Sequence, residues 1–204
     1  MTTRVQENIG LHKQSVQSFP SVNRLEKAML SHASFETAGK VLDANAFSGR
    51  MAEYLLNQTD CQVCGISDRM EEIRQIRARL TNGDFAYAAI GDIPWQDATF
   101  DTILLHPAEG GLPALREQLK ECSRVICPGG QLVLGLNALP ALLIKAGRLL
   151  EMAGAYEENT PSVDDAEIAM ESCGFIDIAR YPVPLGGCVL VGWRKSEENM
   201  NRQE

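Results

Sequence analysis

From Lys40 onward, short apolar runs alternate with segments whose apolar residues recur at helical spacing. This alternation restricts the fold more than any other feature of the chain. A strand followed by a helix cannot pair with the next strand through a tight hairpin, so the strands must run parallel with helices on both faces. Residues 40–43, 61–66, 85–90, 100–105 and 131–134 read as the strands. Between them lie the stripes Met51, Tyr54, Leu55, then Met70, Ile73, Ile76, Leu80, then Leu112, Leu115, Leu119, Cys122. Asn82-Gly83 and Pro128-Gly129-Gly130 read as turns. A helix over 140–152 follows, then another opened by Ser162-Val163-Asp164-Asp165 and closed by Gly174. Residues 175–181 and 188–193, separated by Pro182, Pro184 and Gly186-Gly187, end the chain as an antiparallel pair at one edge of the sheet. The expected fold is α/β: a Rossmann-like three-layer sandwich around a mostly parallel seven-stranded sheet. In such sheets ligands bind beyond the carboxyl ends of the strands, where the strand order reverses.

Composition bears on partners and compartment. At 204 residues with 45% hydrophobic content, the chain suits one core. We expect a helical segment over 1–38, where Val22, Leu25, Met29 and Leu30 have helical spacing, one domain over 39–195, and a polar tail over 196–204. A net charge of −8 argues against nucleic acid, which needs a basic face for its phosphates. Arg69, Arg74, Arg77 and Arg79 alternate with Glu71 and Glu72, as on a solvated, ion-paired helix face. No apolar run approaches the ~20 residues of a membrane span, and the first residues lack a signal-like apolar stretch, so a cytoplasmic protein is expected. Cys61 and Cys64 have C-x-x-C spacing, but on a strand such residues face opposite ways and should not share a metal. No metal site is expected.

Four stretches carry a family resemblance. They are Val41-Leu42-Asp43-Ala44-Asn45-Ala46-Phe47-Ser48-Gly49-Arg50; Gly65-Ile66-Ser67-Asp68; Gly91-Asp92-Ile93-Pro94-Trp95 with Asp97-Ala98-Thr99-Phe100-Asp101; and 119–134, a helix, Pro-Gly-Gly and a strand. Together they resemble the class I S-adenosylmethionine (SAM) methyltransferases, particularly the small-molecule branch. The resemblance implies SAM as cofactor and S-adenosylhomocysteine as product. It implies cofactor contacts from Asp43, Ala44, Asn45, Gly49, Ser67, Asp68, Asp92, Ile93 and Leu105. It also implies that the N-terminal segment covers the cofactor or the substrate. The chain departs from the family at three positions. Asn45 and Phe47 replace the first two glycines of the loop, and Ser67 replaces the acid that accepts the ribose hydroxyls.

Several residues carry two readings. Asp68 either replaces the ribose acid by a one-residue shift or forms a capping box with Glu71. Asp92 faces the adenine or shapes a turn. Methyl transfer from a sulfonium needs positioning and at most one base. His106, at the tip of the fourth strand with Glu109 nearby, is the candidate base, or else bonds only its own loop. His12 and His32 lie in the N-terminal segment, within reach of the expected cleft, and Trp95 and Tyr156 either line its substrate side or serve ordinary packing. The 140–156 stretch suits a substrate cover or a dimer face. Two functions follow: a methyltransferase acting on a small molecule, or a non-catalytic relative with altered SAM binding. A nicotinamide oxidoreductase fits poorly, because G-x-G-x-x-G and a Tyr/Lys pair are missing.

Overall fold

The computed structural model describes residues 22–46, 48–137, 161–184 and 187–196. Phe47, His12, Tyr156 and the helix expected over 140–152 lie outside the described residues. Helix α1 (Arg24–His32) precedes strand β1 (Lys40–Ala44), and the chain then runs α2 (Arg50–Gln58), β2 (Gln62–Ser67), α3 (Met70–Arg79), β3 (Asp84–Tyr87), β4 (Phe100–Leu105), α4 (Gly111–Val125) and β5 (Ile126–Leu136). Helix α5 (Val163–Ser172) leads into the final strands β6 (Phe175–Val183) and β7 (Gly187–Arg194).

The seven strands form one sheet in the order β3-β2-β1-β4-β5-β7-β6. Five are parallel, and β7 runs antiparallel between β5 and β6. The expected three-layer sandwich with its antiparallel C-terminal pair is therefore present. The order reverses between β1 and β4, which puts the ligand crevice at the carboxyl ends of β1, β2 and β4.

The apolar runs alternate between two cores. Leu42, Cys64, Ile103, Leu105, Leu132 and Leu134 face α4 and α5, while Val41, Val63, Leu104 and Val133 face α1, α2 and α3. Cys61 and Cys64 fall on opposite faces, as strand geometry requires. Among the described residues no group of His, Cys, Asp or Glu could hold a metal ion, and no helix is long and apolar enough to cross a membrane. Helix α1 buries Leu25, Met29 and Leu30; at roughly 1.5–3 kcal/mol for each such side chain, its body is firmly docked.

Three local expectations change. Strand β3 ends at Tyr87 rather than running to residue 90, because Ala88 and Ala89 have weak strand preference and Asp92 N–H closes a turn on the Ala89 carbonyl at 3.0 Å. Pro128-Gly129-Gly130 lies inside β5 as a bulge: the register jumps from Phe100↔Ile126 to Thr102↔Gln131, and Gly129 has φ +81. The Asp68–Glu71 capping box is not formed. The N-cap of α3 is Arg69, whose N–H donates instead to the Ser67 hydroxyl at 3.1 Å.

Candidate active site

The loop after β1 folds back against the sheet, with the Ala46 N–H donating to the Ile66 carbonyl at 2.7 Å. Asn45 takes φ +78, in the left-handed region that Asn tolerates better than most residues. Gly49 takes φ +70 at the N-cap of α2, and a Cβ there would meet Ile76 at 3.0 Å. The remaining glycine of the loop is therefore required by its backbone.

Two spaces flank Asn45. The larger, of about 100 Å³, is lined by Asn45, Ser67, Asp68, Ala89, Ile90, Gly91, Ala108 and Gln118. It lies where the strand tips of β1, β2 and β4 converge. A Cβ on Gly91 would meet nothing within 4 Å, so this glycine borders open space. Gln118 of α4 accepts a hydrogen bond from the Ala108 N–H at 3.1 Å and so fixes the loop after β4. Arg124 staples the opposite wall: it donates to the carbonyls of Ile93 and Trp95, each at 2.9 Å, and pairs with Asp97 and Glu121.

The smaller space, about 10 Å³, is lined by Glu26, Asp43, Asn45, Ala46, Ser48, Gly49, Arg50, Met51 and His106. Asn45 Nδ2 donates to the His106 carbonyl at 3.2 Å, and this bond separates the two spaces. Asp43 is 1% exposed and its Oδ1 has no hydrogen-bond partner. Burial, with Glu26 nearby, raises its carboxyl to about 7, against the Ala52 backbone N–H that favours the charged form. Arg50 donates through Nη2 to Glu26 Oε1 at 3.0 Å, while its buried Nε has no partner. Burial lowers the pKa of His106; Glu26 pushes it up and Arg50 down.

The expected site residues divide accordingly. Asp43, Asn45, Gly49 and His106 line the smaller space, and Asn45, Ser67 and Asp68 the larger. Ala44 and Leu105 are fully buried behind them. Asp92 is exposed and lines neither space. The Ile93 N–H is taken by Glu121 Oε2 at 3.1 Å, and its side chain is in the core. Ser67 donates to Glu72 Oε2 at 2.7 Å, so its hydroxyl is already engaged. Trp95 packs edge-on against Phe100, with ring centroids 5.4 Å apart. His32 stacks on Tyr181 rather than reaching the crevice. Glu109 is exposed, and the acids that share a space with His106 are Asp43 and Glu26.

Sequence reasoning missed Glu26, Arg50 and Gln118. Asn23-x-x-Glu26 is a capping box, a pattern that marks a helix start and not a site. Gln118 interrupts the apolar stripe of Leu115 and Leu119, a signal that could have been read.

Strand order, reversal point and crevice define a Rossmann-like α/β protein with a candidate site at the tips of β1, β2 and β4. Residues 42–134 match the family described as methyltransferase domain. The chain is 23% identical to the 27-O-demethylrifamycin SV methyltransferase of Amycolatopsis mediterranei, over 87% of this chain and 68% of that one. It is 28% identical to the demethylmenaquinone methyltransferase of Tropheryma whipplei, over 76% of this chain and 74% of that one. Among solved structures, a chain from the complex of the Haloferax volcanii Trm112 methyltransferase activator with a methyltransferase superposes with a TM-score of 0.69 at 16% identity, covering 84% of this chain and 89% of that one. The [4+2]-cyclase SpnF superposes at 0.66 with 13% identity, covering 85% and 80%. Residues 42–134 thus resemble a methyltransferase domain, and they lie within the α/β fold shared with these solved structures.

Proposed function

We propose that this protein transfers a methyl group from SAM to a small-molecule acceptor. The observation that carries this reading is the pair of buried, unpartnered polar atoms of opposite charge, Asp43 Oδ1 and Arg50 Nε, beside the loop between β1 and α2. Buried polar groups normally find partners, and a zwitterionic ligand would supply both. The open space over Gly91 suits a flat ring. On these grounds the residues present fit SAM: Asp43 and Arg50 toward its amino-acid end, and Ser67, Asp68 and Gly91 toward its nucleoside.

When bound, SAM supplies a methyl group on an already activated sulfonium. The protein's own part is then to bind and orient. Asn45 and Gln118 hold the loops after β1 and β4 in place. His106, kept neutral by burial, has the protonation state needed to accept a proton from an acceptor hydroxyl. Support for a small acceptor comes from the names of the rifamycin and menaquinone relatives and from the net charge of −8, which disfavours nucleic acid. The acidic net charge also favours a soluble protein of the cytoplasm.

A second reading is a methyltransferase-like protein that binds another ligand. It is favoured by the Asn45 partition and by a cavity of about 100 Å³, against the roughly 300–1,000 Å³ of ordinary small-molecule sites. Incubation with methyl-labelled SAM and a panel of small hydroxylated and quinone acceptors separates the two. Label in the small-molecule fraction is expected. Label only in macromolecules would contradict the acceptor class, and no transfer with any acceptor would favour the second reading.

A further inference from the structure

The space beside Asp43 cannot accept an amino-acid group as it stands. Its volume is about 10 Å³, at the lower limit for a single water. Most of its walls come from the β1–α2 turn and from the tip of β4. Glu26 alone comes from α1, a helix outside the crevice. The Glu26 side chain is 9% exposed, and its carboxylate is shared: Oε1 accepts from Arg50 Nη2 at 3.0 Å, and Oε2 accepts from the Asn23 N–H at 2.7 Å.

The ion pair is only half made. A guanidinium presents Nε and Nη as a fork that a carboxylate can take with two parallel bonds. Here Glu26 takes Nη2 alone, while Nε is buried without a partner. A ligand carboxylate approaching along the β1–α2 loop could use both arms of the fork. Its neighbouring ammonium would then find Asp43 Oδ1, which also has no partner.

We infer that Glu26 is an internal competitor: its carboxylate holds Arg50 in place of the α-carboxylate of an adenosyl amino acid and is displaced when that ligand binds. This rests on the SAM reading of the site. Glu26 thereby selects against the amino-acid end of the ligand and not against its nucleoside. Displacement also breaks the bond from the Asn23 N–H to Glu26, so occupancy of the crevice loosens the first turn of α1. The rest of α1 stays docked through Leu25, Met29 and Leu30.

The test compares S-adenosylhomocysteine with 5′-methylthioadenosine, which keeps the nucleoside and thioether but lacks the amino-acid end. Both are titrated calorimetrically into the wild type, Glu26→Gln and Arg50→Lys. Gln at this position still suits a capping box, so Glu26→Gln should fold. The expected result is about tenfold tighter S-adenosylhomocysteine binding in Glu26→Gln, about tenfold weaker binding in Arg50→Lys, and methylthioadenosine affinity within about twofold throughout. In the wild type, amide exchange at Asn23, whose N–H loses its Glu26 acceptor, should quicken with S-adenosylhomocysteine and not with methylthioadenosine. Equal S-adenosylhomocysteine affinity in wild type and Glu26→Gln, or an equal shift for both ligands, overturns the inference while leaving the SAM reading intact. No binding of either ligand by any of the three proteins overturns both.

Discussion

The two spaces on either side of Asn45 differ in kind. The larger is the roomier, lined by small residues, loop backbone and Gln118, with Arg124 holding the neighbouring 93–95 segment. The smaller is cramped and charged: two acids, a guanidinium and an imidazole share about 10 Å³. A polar cluster this buried is costly unless fully paired, and here two of its atoms are unpaired. The difference teaches where the molecule is poised for a ligand. The larger space gains contacts on binding, whereas the smaller also relieves an electrostatic penalty already present in the fold.

The sharpest way to break that comparison is to neutralise the buried acid. The Asp43 carboxyl is raised from 3.8 to about 7. Between these values the folded protein holds a proton that the unfolded chain has released, so this group's contribution to stability falls as pH rises from about 4 to 7 and is lowest above 7. Asp43→Asn should therefore stabilise the protein at pH 8 by a few kcal/mol and at pH 4.5 by about 1 or less. Urea unfolding at the two pH values measures this. An equal effect at both would mean that the smaller space carries no such penalty.

A smaller effect is expected for ligand binding. Asp43→Ala should weaken S-adenosylhomocysteine by about 1–3 kcal/mol, the size of a lost polar contact. Asp92→Ala, at an exposed residue outside both spaces, should change binding by less than about 0.5 kcal/mol. Calorimetry on both variants sharpens the comparison, since equal losses would put Asp92 at the ligand after all.

The smallest effect belongs to the larger space. Gly91 has ordinary backbone angles and open room for a Cβ, so Gly91→Ala should leave the melting temperature unchanged. The new methyl group would occupy ligand space and weaken nucleoside binding by about 1 kcal/mol. A fall in melting temperature would instead mean that this wall is packed tightly.

The sheet was readable because its signals are local and repeated. Strands such as Phe100–Leu105 are mostly apolar, with Asp101 and Thr102 the exceptions, because both faces are covered, and the stripe through Ile73 and Ile76 marks its helix with little ambiguity. The bulge at Pro128-Gly129-Gly130 was not readable, because Pro and Gly mark a turn and a bulge alike. At the site, Asp43, Asn45 and Gly49 were visible as a loop pattern. Their charge environment was not, because it depends on Glu26 reaching Arg50 from another element. The same applies at Asp68, where the capping pattern was present but Ser67 took the amide. Short-range pattern gave the position of the site, and long-range contacts determine its chemistry.

The most direct test of the central claim is calorimetric titration of the purified wild-type protein with SAM and S-adenosylhomocysteine at pH 8. The account predicts saturable binding of both at micromolar strength, about −8 kcal/mol, together with a rise in melting temperature at excess ligand. No heat at several temperatures, and no melting shift at millimolar ligand, would contradict it: the crevice beside Asn45 would then serve a different molecule.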